Sequence, residues 1–420
     1  MCQSTLLPPV IDGPVLNGTT YYIANDGNDC LDGRSPKRAW KTLQHAVYAL
    51  QPGDTALVAP GTYEGLFIRS VSFNGRANGW KAIRALDPGN KPRINTRSAH
   101  GSDGRPSGIF LRGTDDTSRI AYWFFDGLVA EDTHGAGFDC IWTDHIRIQN
   151  CEAYRNAINN PKNAGMPGPH YNHRCTGFFC AHGTNYVALN NHSEGNAEHG
   201  FYINNSSRNF IYRGNTARGN MGCGFHLNGD ATMGGTGVCE NGLYEYNMTD
   251  GNGITGGAAF NFDGLHNGIV RDNRIINTGC GAMTFFCMNG SDTSRHVDVH
   301  DNTIVVGGPR VTNHRYALNI VVDAPPEGNQ YNDNTPNPHA GTPTHLHFHD
   351  NLIACGSQPV TLLEFQYATV EERHDITFVN NVICAANLEG DVVDGAIAPA
   401  LKAKWLAQNR FDPNGMEGRV

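Results

Sequence analysis

The sequence predicts an all-β chain, a single-stranded right-handed parallel β-helix with an N-terminal capping helix and long loop insertions. Three observations carry that expectation. First, "HGFYINN" (His199 to Asn205) returns 24 residues later as "CGFHLNG" (Cys223 to Gly229). A short period of this kind marks a solenoid, whose units bury their apolar faces only against their neighbours. Second, eight runs of alternating apolar and polar residues end at Asn150, Asn191, Asn215, Asn247, Asn273, Asn302, Asn351 and Asn381, spaced by 41, 24, 32, 26, 29, 49 and 30 residues. The period of two marks strands, the closing Asn tolerates left-handed backbone, and the excess over the shortest spacing is inserted loop. Third, 50 Gly and 17% charged residues among 420 suit one loop-rich solenoid, with about eleven coils.

Along the chain, residues 1–19 read as a leader or tether, 20–400 as the β-helix and 401–420 as a capping tail. Trp40, Leu43, Ala46, Val47 and Leu50 form the apolar stripe of a helix over about 38–50, stopped by Pro52-Gly53. That helix would cover an open end whose strand edges are otherwise unpaired. The acidic "NDGNDCLDG" ahead of it offers oxygens of the kind calcium takes, without EF-hand spacing, and otherwise reads as an Asx-rich turn. The recurrent Asn, stacked at one turn, has amides that can bond to the coils above and below. "ALKAKWLAQNRFDPNG", Ala400 to Gly415, reads as a short helix over the second open end. His345, His347 and His349 alternate on one strand and share a polar outward face, the alternative being a metal site. The twelve Cys follow no metal spacing.

Stacking "AGFDCI", "TGFFCA", "HGFYIN", "CGFHLN", "AAFNFD" and "AMTFFC" puts Phe138, Phe178, Phe201, Phe225, Phe260 and Thr284 in one inward column. Cys140, Cys180, Ile203, Leu227, Phe262 and Phe286 form a second one. The positions between them point outward: Asp139, Phe179, Tyr202, His226, Asn261 and Phe285, then Asn228 and Asp263 among others. Gly137, Gly177, Gly200, Gly224 and Ala259 form a strip almost without side chains, which reads either as the floor of a sugar-binding groove or as a tight corner. Tyr202 and His226 lie one coil apart in this alignment, and His199 opens the strand of Tyr202. The insertion "NPKNAGMPGPHYNHRC", Asn160 to Cys175, brings Lys162, His173 and Arg174 to the same rim.

A net charge of -9 excludes a general nucleic-acid binder, so an acidic substrate would be held by local cations. No apolar run reaches transmembrane length.

The segment "TYYIANDGNDCLDGRSPKRAWKTLQHAVYALQPGDTALVAPGTYEG", Thr20 to Gly65, resembles the start of right-handed parallel β-helix proteins of the pectate-lyase-like superfamily. There, a strand and an Asx-Gly turn lead to a capping helix, and "PGDT-x-x-x-x-PGTY" begins the first coil. The resemblance implies a carbohydrate-active protein that meets a polysaccharide outside the cytoplasm. "MCQSTLLPP" is similar to the start of a mature bacterial lipoprotein, which implies a lipid anchor at Cys2 and a secreted, periplasmic or outer-surface location. "NAEHGFYI" resembles the "HGF" strand of bacterial alginate C5-epimerases, whose catalytic His matches His199. Their preceding Tyr-Gly-Phe-Asp-Pro-His pattern is kept here at Gly137, Phe138 and Asp139, but Ala136 and Ile141 replace its Tyr and final His.

Uronate polysaccharides are cleaved by β-elimination: the carboxylate is neutralised, a base removes the C5 proton, and an acid protonates the departing O4. The outward face carries those residue types. The expected catalytic residues are Tyr202, His226 and His199, with Arg174, Lys162, His173, Asn228, Asn261, Asp263, Asp139 and Phe179 binding substrate, and a lyase as the activity. Calcium stays open as a neutraliser. The alternatives are a C5-epimerase, a glycoside hydrolase with two carboxylic acids drawn from Asp263, Asp230, Asp139 and Glu198, and a non-catalytic, tailspike-like glycan-binding solenoid.

Overall fold

The computed structural model describes residues 6–96, 106–158, 175–231, 234–276, 278, 281–287, 291–306, 316–322, 343–355, 361–367, 369–385, 393–394 and 397–412. They belong to two compact units, Val10–Tyr202 and a second made of Ile203–Val420 with Met1–Pro9. In the N-terminal unit the first sheet runs through Thr20–Ile23, Thr55–Val58, Lys81–Ala85, Ile120–Asp126, Thr143–Gln149 and Thr184–Leu189, each strand parallel to the next. In the C-terminal unit it runs through Arg208–Arg213, Cys239–Glu245, Leu265–Arg271, Arg295–His300, Thr344–His349 and Ile376–Val379, again all parallel. A second sheet of very short strands, such as Glu152–Tyr154 and Thr216–Arg218, and a third, such as Phe138–Ile141 and Phe225–Asn228, complete each coil. The chain is a right-handed parallel β-helix, the hand that parallel crossovers take almost without exception.

The capping helix α1 spans Leu43–Ala49 and buries Leu43, Ala46 and Val47. It is shorter than the pattern predicts because Trp40 is drawn into a parallel bridge with Ile23, and the helix begins only after Thr42. The Thr42 hydroxyl accepts from the His45 N–H, and the Asp29 carboxylate accepts from Lys41 N, Thr42 N and the Thr42 hydroxyl at 2.7, 3.0 and 2.7 Å. Asp32 pairs with Arg38 at 3.0 Å. The acidic loop is thus a clamp on the start of a helix. At the other end, α2 (Pro399–Gln408) buries Leu401 and Trp405, and Trp405 packs on Phe365 and Phe378. The Gln408 carbonyl accepts from Asn380 N, just after the last strand of the first sheet.

Inside the N-terminal unit Phe138, Phe178 and Phe201 stack at 4.7 and 4.8 Å, each pair 8° from parallel. Phe225 stacks on Phe260 at 4.8 Å in the C-terminal unit. The next coil departs from the predicted alignment by one residue. Phe260 pairs with Met283, so Thr284 lies in the row of Asn261 and Phe285 in that of Phe262. Met283 and Phe285 are buried and Thr284 points outward, the reverse of the expectation. "AMTFFC" is apolar at almost every position, so its period-two pattern fits either register equally well. Packing decides: Gly281, before the strand, lies where any Cβ would overlap the ring of Tyr316.

In the C-terminal unit Asn215, Asn247, Asn273, Asn302, Asn351, Asn381 and Asn409 form one ladder. The backbone N–H and the Nδ2 of each donate to the Oδ1 of the next at 2.8–3.0 Å. Asn191 is on the corresponding ladder of the N-terminal unit, accepting from Cys151 N at 2.9 Å. Asn150 is not: it takes the left-handed position one residue earlier, at φ 53°, and Cys151 occupies the rung. A second ladder, Asn156 to Asn196 and Asn220 to Asn252, was not visible as a repeat.

His345, His347 and His349 do share the outward face of their strand, but each has a different partner: Asp375 at 3.7 Å, the Thr377 hydroxyl at 2.9 Å and Asp298 at 2.9 Å. The hydrogen bond to Asp298 raises the His349 pKa to about 9, against partial burial, with Asp350 adding to the rise. Burial works to raise Asp298, but the bond from His349 and the nearby imidazoles carry it below its usual value. A raised His pKa stabilises fully below the unfolded value, about 6.5, and that contribution fades as pH rises through about 9. The Asp298 contribution is present above about 3.8 and fades as pH falls below it. His349→Gln is therefore expected to lower stability by on the order of 1–2 kcal/mol near pH 5–6 and by nothing measurable above about pH 10. Urea unfolding of both proteins at the two pH values checks this; an equal loss at both would contradict it.

Candidate functional site

The third sheet of the N-terminal unit pairs Phe67 with Phe110, Phe110 with Asp139, and Asp139 with Phe179, all on its outer row. Tyr202 follows on the same side, because the residue before it, Phe201, is stacked in the core on Phe178. Tyr202 meets Phe179 edge to face at 5.2 Å. Phe110, Ile141, Phe179, Ala181 and Tyr202 make one buried cluster, flanked by the partly buried Phe67 and Trp142. Asp139 sits within this aromatic row at 0% exposure and accepts from the Ser107 hydroxyl at 3.2 Å. The outward row is thus aromatic and shielded, where the sequence suggested an open groove.

The glycine strip does not make a floor. A Cβ on Gly137 would lie 2.7 Å from the Gly177 carbonyl and 3.0 Å from Asn156 Nδ2; one on Gly224 would lie 2.9 Å from the Ala259 carbonyl and 3.0 Å from Thr249 Cγ2. On Gly177 it would overlap the Ser193 hydroxyl. These atoms belong to neighbouring backbone and to the buried side of the second sheet. The glycines are there because the corner is too tight for a side chain, which is the second of the two readings above.

His199 lies just before Tyr202, its ring edge-on to the phenol at 5.1 Å. Its Nε2 is 3.6 Å from Glu198 Oε1, and both side chains are largely buried, at 13% and 7% exposure. Glu198 is held by Cys175, the last residue of the insertion: the Cys175 N–H donates to Glu198 Oε2 at 3.4 Å, and the Cys175 carbonyl accepts from Glu198 N at 3.1 Å. The N-terminal unit therefore groups Glu198, His199 and Tyr202, with Phe179 against the phenol. Lys162, His173 and Arg174 lie outside the described residues.

In the C-terminal unit the outer row of the third sheet is polar. His226, Asn261, Thr284, Asn319 and Glu364 are in register on successive strands. Asn261 Nδ2 is 3.0 Å from His226 Nδ1, and Cys223 Sγ is 3.7 Å from the same nitrogen. Asn319 donates to Glu364 at 3.2 Å, and the Thr284 and Tyr316 hydroxyls are 2.7 Å apart. Asn228 and Asp263 pair on the next outer row and are buried. Asn228 Oδ1 accepts from the Ser291 hydroxyl at 2.7 Å and from Asp230 N at 3.1 Å.

Sequence reasoning missed Cys223, Asn319 and Glu364. "YALNIV" and "TLLEFQ" do alternate, with Leu318 and Ile320, then Leu363 and Phe365, buried on either side of the polar residue. The long insertions between these strands hid the repeat.

No family model and no curated protein sequence matches the chain. Among solved structures, it is similar to a glycoside hydrolase, with a TM-score of 0.55 and 10% identity over 95% of this chain and 100% of that one. It is also similar to the lacto-N-biosidase of Eubacterium ramulus, with a TM-score of 0.50 and 12% identity over 94% of this chain and 68% of that one. An alginate lyase from a Paenibacillus species gives a TM-score of 0.47 at 13% identity, covering 90% and 98%. At these identities the likeness is one of fold, that of the right-handed parallel β-helix. Among the described residues no helix is long and apolar enough to cross a membrane.

Proposed function

We propose that the protein is a carbohydrate-active enzyme that cleaves an acidic, uronate-containing polysaccharide by β-elimination. The observation that carries this reading is the grouping of Glu198, His199 and Tyr202 on one strand and its approach. Glu198 Oε1 lies 3.6 Å from Nε2 of His199, the arrangement in which a carboxylate orients a histidine base. The phenol of Tyr202 lies beside the ring as a proton donor. In the reaction His199 takes the C5 proton, the C5–H electrons form the C4=C5 double bond, the C4–O4 bond breaks, and Tyr202 protonates O4. Phe179 holds the Tyr202 phenol edge to face, and the partly buried Phe67 and Trp142 at the margin of the row are the rings left for a sugar to pack against. Arg174, Lys162 and His173 are assigned to the uronate carboxylate through the insertion. The likenesses to a glycoside hydrolase and a lacto-N-biosidase support action on carbohydrate and leave hydrolysis as the competing reaction. Export with acylation of Cys2 belongs to the same proposal, and labelling with radioactive palmitate, lost in Cys2→Ser, would report it.

The test is incubation with alginate, pectate, glucuronan and glycosaminoglycans, followed by the ultraviolet absorbance of the unsaturated product and by reducing ends. Absorbance and reducing ends rising together on one substrate is the expected result. Reducing ends without absorbance would assign hydrolysis, and neither would remove the proposal of chain cleavage.

A further inference from the structure

His226 differs from His199 in what holds it. Asn261, directly opposite on the neighbouring strand, places an amide nitrogen 3.0 Å from Nδ1. Cys223, three residues earlier, places its sulfur 3.7 Å from the same atom. The thiol is fixed there by space: Gly257, at φ +92°, lies where a Cβ would come within 2.6 Å of the sulfur. Both partners are buried, Cys223 at 2% and Asn261 at 5% exposure. An amide nitrogen can only donate, so Asn261 requires Nδ1 to be an acceptor, and the Cys223 thiol can donate weakly to the same atom. A neutral ring that accepts at Nδ1 carries its proton on Nε2. The opposite orientation of the Asn261 amide would demand the other tautomer; here it is the amide nitrogen that faces Nδ1.

We propose that Asn261 and Cys223 are positioning residues that hold His226 as the neutral Nε2–H tautomer, so that His226 donates a hydrogen bond to the acidic sugar and takes no part in proton transfer. This deepens the reading above and rests on it for the identity of the ligand. A ring already protonated at Nε2 cannot accept a proton there, and a neutral imidazole is too weak an acid to protonate a leaving oxygen. What remains is donation. A neutral imidazole donor polarises a carboxylate or hydroxyl oxygen and stabilises negative charge as it develops, without a proton changing hands. The class of ligand is an oxygen-rich, anionic sugar. His226 is then a catalytic residue by electrostatics, distinct from the acid–base pair.

The test begins with the full chain carrying nitrogen-15 histidine and no substrate. The His226 signals are assigned by their loss in His226→Gln, and two-bond nitrogen–proton correlations report which ring nitrogen is protonated. An unprotonated Nδ1 and a protonated Nε2 at neutral pH are expected; a protonated Nδ1, alone or with Nε2, would overturn the proposal. Asn261→Asp replaces the donor by a group that only accepts, so the ring should change to the Nδ1–H or doubly protonated form in a folded protein. An unchanged tautomer would remove Asn261 from the role, and loss of the Nδ1 acceptor signature in Cys223→Ala would show the thiol to be the dominant partner. On a cleaved substrate, His226→Leu should lower kcat/KM by roughly 10²- to 10³-fold, with the shape of the pH profile retained, and His226→Gln, which keeps a donor, should recover part of it. Loss of one limb of the profile would make His226 an acid or base instead. If no acidic polysaccharide is cleaved, the function proposed above fails while the tautomer result stands on its own.

Discussion

Tyr202→Phe is expected to lower the rate of elimination by roughly 10²- to 10⁴-fold, the usual effect of removing one acid or base, with little change in unfolding temperature. The ring is what packs: it lies edge to face against Phe179 at 5.2 Å and against His199 at 5.1 Å, and Phe keeps both contacts. Only the hydroxyl, the group assigned to protonate O4, is lost. His199→Gln should fall on the same scale and should also remove the limb of the pH profile that reports the base. Steady-state kinetics on the substrate found by the panel, beside thermal unfolding of each variant, separates chemistry from folding. Near-normal turnover in both would take proton transfer away from this strand. A collapse confined to Asp263→Asn and Asp230→Asn would assign the reaction to carboxylic acids and hydrolysis.

Asn247→Ala should destabilise the C-terminal unit by about 2–5 kcal/mol. The side chain is 1% exposed. Its Oδ1 accepts from both Asn215 N and Asn215 Nδ2, and its Nδ2 donates to the Tyr212 carbonyl at 2.9 Å and to Asn273 Oδ1 at 3.0 Å. Removal takes an acceptor from Asn215 N and Nδ2 and a donor from the Tyr212 carbonyl where water does not reach, and each buried hydrogen-bonding group left unsatisfied costs about 1–3 kcal/mol. Asn150→Gly is the contrasting case. Asn150 stands off the ladder at φ 53°, where glycine is at ease, and it loses mainly a bond to Asp126. It should cost well under half as much. Urea unfolding compares the two, and equal losses would contradict the distinction between the rung and the turn.

Those two asparagines also show what was legible in the sequence. The strands, their period and the rungs from Asn191 to Asn381 follow from alternation and a recurrent terminal Asn, because burying one face of a strand and closing a tight turn each restrict residue type strongly. Asn150 was misplaced because a run ending in Asn-Cys looks the same whether Asn is the rung or the left-handed residue before it; in "ALNN" the two are Asn190 and Asn191. The slip at Met283 has the same origin, since a strand apolar on both faces carries no period. The candidate site was legible only in part. Tyr202, Asp139 and Phe179 share an outer face, as the alternation required, with His199 at the strand entry beside Tyr202, and so do His226, Asn261, Asn228 and Asp263. Whether that face is open could not be read, because shielding depends on residues distant in sequence. The glycine strip shows the limit most clearly: absence of a side chain is the same letter whether a ligand or a neighbouring coil fills the space.

The most direct measurement of the central claim is the mass of the cleavage products formed in oxygen-18 water from the substrate that gives absorbance. β-Elimination breaks C4–O4 without adding water across it, so the oligosaccharides should lack one water relative to hydrolysis products, carry an unsaturated end and take no oxygen-18 at the bond that was cut. Products that are fully hydrated and carry one oxygen-18 per bond cut, at the new reducing end, would contradict elimination by His199 and Tyr202 and assign the protein to hydrolysis.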